Sequence, residues 1–179
     1  TILPTDLTFS TAELSYFTDN IVTDDENNYW CFARNGEVLK YSLNGNTLNK
    51  VFAAKDNSYS SRYSIHWNKD SFCIGTRSNG IIFVTAGSGH YKRVGVTSIE
   101  NGLSNNFISS LIRLKDSKLL VSTVAGLDIV HLNKSDTSVE QLFSRIGLFT
   151  GVTSAVQKDD STAIAFTDNG TPYSIQLSA

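Results

Sequence analysis

Four glycines set the frame of this chain. Gly36, Gly80, Gly126 and Gly170 stand 44, 46 and 44 residues apart in a sequence of 179, and recurrence at that period means one supersecondary unit copied end to end. The residues around the glycines recur with them. Ten positions before each stands an acid (Glu26, Asp70, Asp116, Asp160), and sixteen before stands a small polar residue (Asn20, Ser64, Ser110, Ser154). Three further columns are apolar in every copy. Fifteen before are Ile21, Ile65, Leu111 and Ala155; six before are Trp30, Ile74, Leu120 and Ile164; three after are Leu39, Phe83, Ile129 and Tyr173.

Each column has a physical meaning. The acids lie in polar clusters such as Lys115-Asp116-Ser117-Lys118 between two apolar runs, where Asp and Ser side chains bond nearby backbone and stabilise a turn. The glycines follow short polar stretches (Arg34-Asn35, Ser78-Asn79, Asp168-Asn169), and Asn-Gly is a strong hairpin signal because both residues tolerate positive φ. Each unit therefore reads strand, turn, strand, Asn-Gly-type turn, strand, and then a segment such as Ser138–Phe143 that could form a fourth strand. Long 3.6-period stripes and helix caps are missing, and the runs are rich in Val, Ile, Thr, Phe and Tyr. Three or four antiparallel strands per unit is the content of a β-propeller blade. The predicted class is all-β, with blades at approximately 16–59, 60–103, 104–149 and 150–179 and residues 1–15 as a flanking or closing strand. A sandwich would not need so regular a register.

Composition narrows the partners. The net charge is -2 and no Lys/Arg run occurs, so no footprint for a phosphate backbone exists and nucleic acid is not expected. No apolar stretch approaches the roughly 20 residues that cross a bilayer, so direct membrane contact is not expected in this segment. The chain begins at Thr1 and contains no Met, as expected of a processed chain or a piece of a longer one. Cys31 and Cys73 sit inside apolar runs and read as buried free thiols. His66, His90 and His131 are scattered singly, without metal-site spacing. Gly87-Ser88-Gly89 is not followed by Lys-Ser/Thr and reads as a turn rather than a phosphate loop. The four acids recur with the repeat, whereas a catalytic pair breaks repeat symmetry. Neither a catalytic set, a metal site nor a cofactor is expected.

The third unit carries a resemblance. It runs Gly102-Leu103-Ser104-Asn105-Asn106-Phe107-Ile108, then Leu111-Ile112, Asp116, Leu119-Leu120-Val121-Ser122-Thr123 and Gly126-Leu127-Asp128. In that order it resembles the two-component regulator propeller repeat. The second unit matches through Cys73-Ile74-Gly75-Thr76 and Gly80-Ile81, with one turn a residue shorter and one loop a residue longer than in the third. The first keeps Tyr29-Trp30, and the fourth, with Ala163-Ile164-Ala165-Phe166, departs furthest.

Such repeats are similar to those of the periplasmic sensor region of hybrid two-component histidine kinases of the Bacteroidetes type. The resemblance implies a fragment of a larger propeller sensor, in a parent anchored in the inner membrane, that binds an oligosaccharide-type ligand and signals to a kinase. Other blades or a second copy of the chain would cover its ends. Alternatively, Leu7-Thr8-Phe9-Ser10 closes a four-bladed ring. Loops at one end of the blades are the expected ligand face: Arg62 and Tyr63, with Asn105 and Asn106, leading into first strands, and Arg34, Arg77, Asn79 and Asp168 between second and third strands. Arg, Asn and Asp bond hydroxyls directionally, and Tyr63 or Trp67 could stack on an apolar sugar face. The same face in an interaction scaffold would dock protein instead. A propeller lyase or hydrolase would need a catalytic acid or base, and no residue supports one.

Overall fold

The computed structural model describes residues 18, 20–45, 47–87, 90–132, 137–145 and 150–177. The first sheet holds β1 (Ile21–Thr23), β2 (Tyr29–Phe32), β3 (Glu37–Asn44) and β4 (Thr47–Lys55). The second holds β5 (Ser61–Asn68), β6 (Ser71–Thr76), β7 (Ile81–Gly87) and β8 (His90–Thr97). The third holds β9 (Ile108–Arg113), β10 (Lys118–Thr123), β11 (Gly126–Leu132) and β12 (Thr137–Gln141), and the fourth β13 (Val152–Gln157), β14 (Thr162–Thr167) and β15 (Pro172–Gln176). Every sheet is an antiparallel meander in chain order. The segment expected as one fourth strand divides: β12 ends at Gln141, and Leu142–Arg145 make a helical turn that sinks Leu142 and Phe143 into the core. The closing strand expected at Leu7–Ser10 and the turn residues Ser88 and Gly89 lie outside the described residues.

The second strands explain the stacking. Phe72-Cys73-Ile74 and Leu119-Leu120-Val121 are buried without interruption, and a strand apolar on both faces needs a cover on each. Trp30 and Phe32 pack against Phe72 and Ile74 of the next sheet. On the other face of that sheet, Cys73 meets Leu119 and Val121. Leu120 then joins Ala163 and Ala165. Trp30 is fully buried among the rings of Phe32, Phe52 and Phe72, with centroids 6.2, 5.9 and 5.1 Å away. Its Nε1–H donates to Asp24 Oδ2 at 2.9 Å. The rim strands β4 and β8 are mostly exposed and carry Lys50, Lys55, Lys92 and Arg93, which blunts the sheet edges against pairing.

First strands are innermost. β1 lies against β5, β5 against β9 and β9 against β13, while among the described residues no comparable contact joins β13 to β1. The four sheets thus form an arc about an axis.

The glycine frame holds for three of the four turns, since Gly126 is the first residue of β11 instead, and it slips for the strands. Gly36, Gly80 and Gly170 take φ of 81°, 71° and 81°, the left-handed conformation that a tight turn requires. Ala33, Thr76, Thr123 and Thr167 are equivalent positions at or just beyond the ends of the second strands, and only in the second unit do three residues, Arg77-Ser78-Asn79, separate that position from the glycine. Counting back from Gly80 therefore gives Ile74, which faces the preceding sheet, where its counterparts Trp30 and Leu120 face the following one. Cys73 is the true equivalent, since it faces the third sheet.

The two glycines differ in what a methyl group would meet. A Cβ on Gly80 would stand 2.2 Å from the Thr97 carbonyl oxygen, whereas one on Gly170 has no neighbour within 4 Å. Gly170→Ala should cost about 1 kcal/mol, the left-handed penalty alone, and Gly80→Ala about 2 kcal/mol or more because backbone must also move. Urea unfolding of both variants checks this; equal losses would mean that the close approach at Thr97 relaxes freely.

Candidate functional site

Backbone bonds gather the expected ligand loops at one end of the sheets. Arg77 N–H donates to the Ser60 carbonyl, Val124 N–H to Phe107 and Asp168 N–H to Gly151, so each turn between second and third strands leans on the segment leading into the first. Gly80 N–H reaches across to the Asn106 carbonyl of the next unit at 3.0 Å. Threonine closes three of the turns. Thr76 Oγ1 donates to the Gly80 carbonyl and accepts from Asn79 N–H, Thr123 Oγ1 does the same with Gly126 and Ala125, and Thr167 Oγ1 donates to Thr171.

Each of the last three first strands carries a β-bulge beside these turns. In β5, Ser61 pairs with Thr76 and Tyr63 with Gly75, leaving Arg62 as the extra residue. Ser109 and Thr153 hold the same place in β9 and β13. A bulge bends the strand and re-aims one side chain. Arg62, Tyr63 and Ser109 are brought together with Arg34 around a depression of about 190 Å³. Residues of three consecutive units thus line one space near the inner strands.

Several of their polar groups are unengaged. The Arg62 guanidinium stacks on the Phe107 ring, 4.7 Å from its centroid, which occupies its face and leaves its N–H edges. Among the described residues, those N–H groups, the Tyr63 hydroxyl and the Ser109 hydroxyl have no hydrogen-bond partner. All three residues are half-buried.

Four of the other expected residues serve the turns. The Asn105 side-chain oxygen accepts from Phe107 N–H at 2.8 Å, and that of Asn106 accepts from Ile99 N–H at 2.9 Å. Asn79 accepts from the Ser78 hydroxyl, and Asp168 from Thr150 Oγ1. Arg77 is exposed and lies outside the lining of the depression. Arg62 and Tyr63 belong to strand β5 rather than to a loop, because Ser61 and Tyr63 both pair with β6. Trp67 is part of the wall between the second and third sheets, with the Arg113 guanidinium 4.8 Å above its ring and that side chain bonded to the Trp67 carbonyl. Sequence reasoning missed Ser109. The signal was available in Ile108-Ser109-Ser110 and Val152-Thr153-Ser154, where two polar residues in a row break the alternation of a strand.

The repeated acids stand at the opposite end, in the turns between first and second strands. Asp116 and Ser117 take φ of 55° and 57°, and Asp160 pairs with Lys115. Cys31 and Cys73 are buried free thiols, and burial pushes the Cys31 thiol up to about 11. Among the described residues, no group of three or more His, Cys, Asp and Glu could hold a metal, and no helix is long and apolar enough to cross a membrane.

Stacked four-stranded meanders with innermost first strands define the β-propeller fold. No family model and no curated protein matches the chain, but solved structures do. Two crystal structures of the extracellular domain of one B. thetaiotaomicron protein, described as a one-component and as a hybrid two-component system, match with TM-scores of 0.65 and 0.64 at 17% and 18% identity. They cover 96% and 95% of this chain, which spans 26% of the length of that domain in each case. The Cps50 (Swd1) β-propeller domain of Myceliophteria thermophila matches at 0.64 and 10% identity, over 90% of this chain and 54% of that one. At these identities the likeness is one of fold, and it is the fold that the two-component regulator propeller resemblance implies.

The segment that carries Phe107 hangs on a buried carboxylate. Asp128 in β11 is fully buried and accepts from Ser104 N–H at 2.9 Å and Ser104 Oγ at 2.5 Å. Burial pushes its carboxyl up to about 6, outweighing the two Ser104 bonds that pull it down. The protonated form is then favoured by folding, so the Asp128 contribution is largest below about pH 4 and is lost as pH rises towards 6. Asp24 acts in the opposite sense and at lower pH: burial raises its carboxyl, but bonds from Trp30, Asn28 and Lys40 bring it to about 2. Between pH 4 and 7 the wild type should lose on the order of 2 kcal/mol relative to Asp128→Asn, measured by urea unfolding of both proteins. Parallel curves would show that the carboxylate ionises normally.

Proposed function

We propose that this chain is part of the extracytoplasmic sensor region of a hybrid two-component signalling protein, that it binds a carbohydrate-derived ligand, and that the change passes to a histidine kinase. The single observation that carries the binding role is the depression where Arg62, Tyr63 and Ser109, each with unengaged polar groups, meet Arg34. Guanidinium and hydroxyl groups give directional bonds to sugar hydroxyls, and a half-buried tyrosine offers an amphipathic ring. The two-component reading is supported by the Gly102–Asp128 phrase and by the fold shared with an extracellular domain of a two-component system. The periplasm of a bacterium, with the parent anchored in its inner membrane, is the location this reading requires. Signalling then demands that the ligand favour one of two arrangements of the sensor.

A second reading, a self-associating scaffold, is favoured by the terminal faces of the arc. Val156 and Phe166 on the outer face of the last sheet are 49% and 42% exposed, whereas Cys31 and Leu39, which share a face of the first sheet with Ile21, are buried. Such faces fit another blade or a second copy of the chain.

Two measurements separate these roles. Ser109→Ala and Tyr63→Phe, which remove one hydroxyl each and preserve packing, should each weaken saccharide binding about fivefold or more in titrations followed by protein NMR; unchanged affinity in both would place the ligand elsewhere. Light scattering of the chain over a hundredfold concentration range should show mass rising with concentration if copies cover the terminal faces, and Phe166→Asp should abolish the rise. A constant monomer mass would remove the self-association reading.

A further inference from the structure

We infer that the sugar unit bound in the Arg34–Arg62–Tyr63–Ser109 depression is acidic, bearing a carboxylate or sulfate ester, rather than neutral. This rests on the binding role proposed above and specifies its ligand. Two of the four lining residues are arginines and none is a carboxylate among the described residues. A neutral sugar needs acceptors as well as donors, since every hydroxyl both gives and takes a proton. The Arg62 guanidinium offers only donors, in a planar fork that matches a carboxylate or sulfate oxygen pair.

Arg62 is the centre of the argument. It is the bulge residue of β5, so the strand itself holds its backbone out of ladder register. Its guanidinium lies over the Phe107 ring, 4.7 Å from the centroid, which restrains it. No acid among the described residues pairs with it, although the chain as a whole carries 17 acidic residues against 15 basic ones. Elsewhere in the fold the buried cation Lys40 is matched by an acid, Asp24, 3.3 Å away. A half-buried guanidinium that is pre-oriented and unpaired is stabilised by an anion from outside.

The neighbours set the size and the second contact. About 190 Å³ is below the roughly 300–1,000 Å³ of pockets that take drug-sized ligands, so one charged sugar unit fits. Tyr63 and Ser109 supply hydroxyls that can accept as well as donate, which suits ring hydroxyls beside the charged group. A bare inorganic anion could use only their donor role, whereas a ring hydroxyl uses both.

The test uses the 179-residue chain and protein NMR titrations with oligomers of two to four units in matched pairs: galactose with galacturonate, glucose with glucuronate, mannose with mannuronate. Galactose 6-sulfate, acetate and inorganic sulfate are titrated alongside. The expected result is that at least one uronate or the sulfated sugar binds about tenfold or more tightly than its neutral partner. That preference should shrink as salt rises, and Arg62→Gln should remove it while Arg62→Lys retains part. Tighter binding of the sulfated sugar than of any uronate would identify the ester as the source of charge. Equal affinity within every pair, or an unchanged preference in Arg62→Gln, would overturn the acidic-ligand inference while leaving a sugar site standing. Acetate or inorganic sulfate binding as tightly as the acidic sugars would overturn it by showing a general anion site. No response to any saccharide from a chain with a folded spectrum would overturn both this inference and the binding role beneath it.

Discussion

A strand that is apolar on both faces must be covered twice, and the rest of this structure follows from that requirement. β6 and β10 each send alternate side chains to the sheet before and the sheet after, while β2 faces the sheet after it and β14 the sheet before it. Trp30, Cys73 and Leu120 point forward; Ile74, Val121 and Ala165 point back. Burial of such side chains contributes roughly 1.5–3 kcal/mol each, and none of it is available to a sheet standing alone. Once the second strands are stacked, twist fans the sheets about an axis, the first strands converge on that axis, and the fourth strands lie outside.

The repeat was legible because backbone conformation wrote it into the chain. A turn that needs φ near 80° selects glycine in three of four copies, and a hairpin turn selects Asp, Asn and Ser. The register within the second unit was not legible from the glycine. Arg77-Ser78-Asn79 adds one residue to a turn, and a one-residue slip exchanges the two faces of a strand. The threonine that ends the second strand is a better marker, since its hydroxyl closes the turn at Thr76, Thr123 and Thr167 whatever the length of the loop.

The candidate site was legible in part. Arg34, Arg62 and Tyr63 come together, as their placement at one end of the units implied. Asn79, Asn105, Asn106 and Asp168 looked equally suitable as residue types, but their side-chain oxygens are taken by backbone and hydroxyl donors within the turns. The asparagines and aspartates that make a good turn are also those that resemble sugar ligands, and sequence cannot separate the two uses. Ser109 was hidden for a different reason. Its role depends on a bulge, and a bulge is a property of two paired strands rather than of one.

The bulge has a further meaning for how a tandem array of this kind diversifies. Arg62, Ser109 and Thr153 occupy one equivalent position in successive units, and it is a position that ladder pairing does not constrain. A cation stands there in one unit and a hydroxyl in the other two, while the stacked second strands behind them stay buried and largely apolar. Each bulged unit thus offers one position outside the ladder at the same end of the sheets, and duplication of such a unit adds a position without disturbing those already present. Recognition in such an array can change by single substitutions at the bulges, with the stacked strands behind them left as they are.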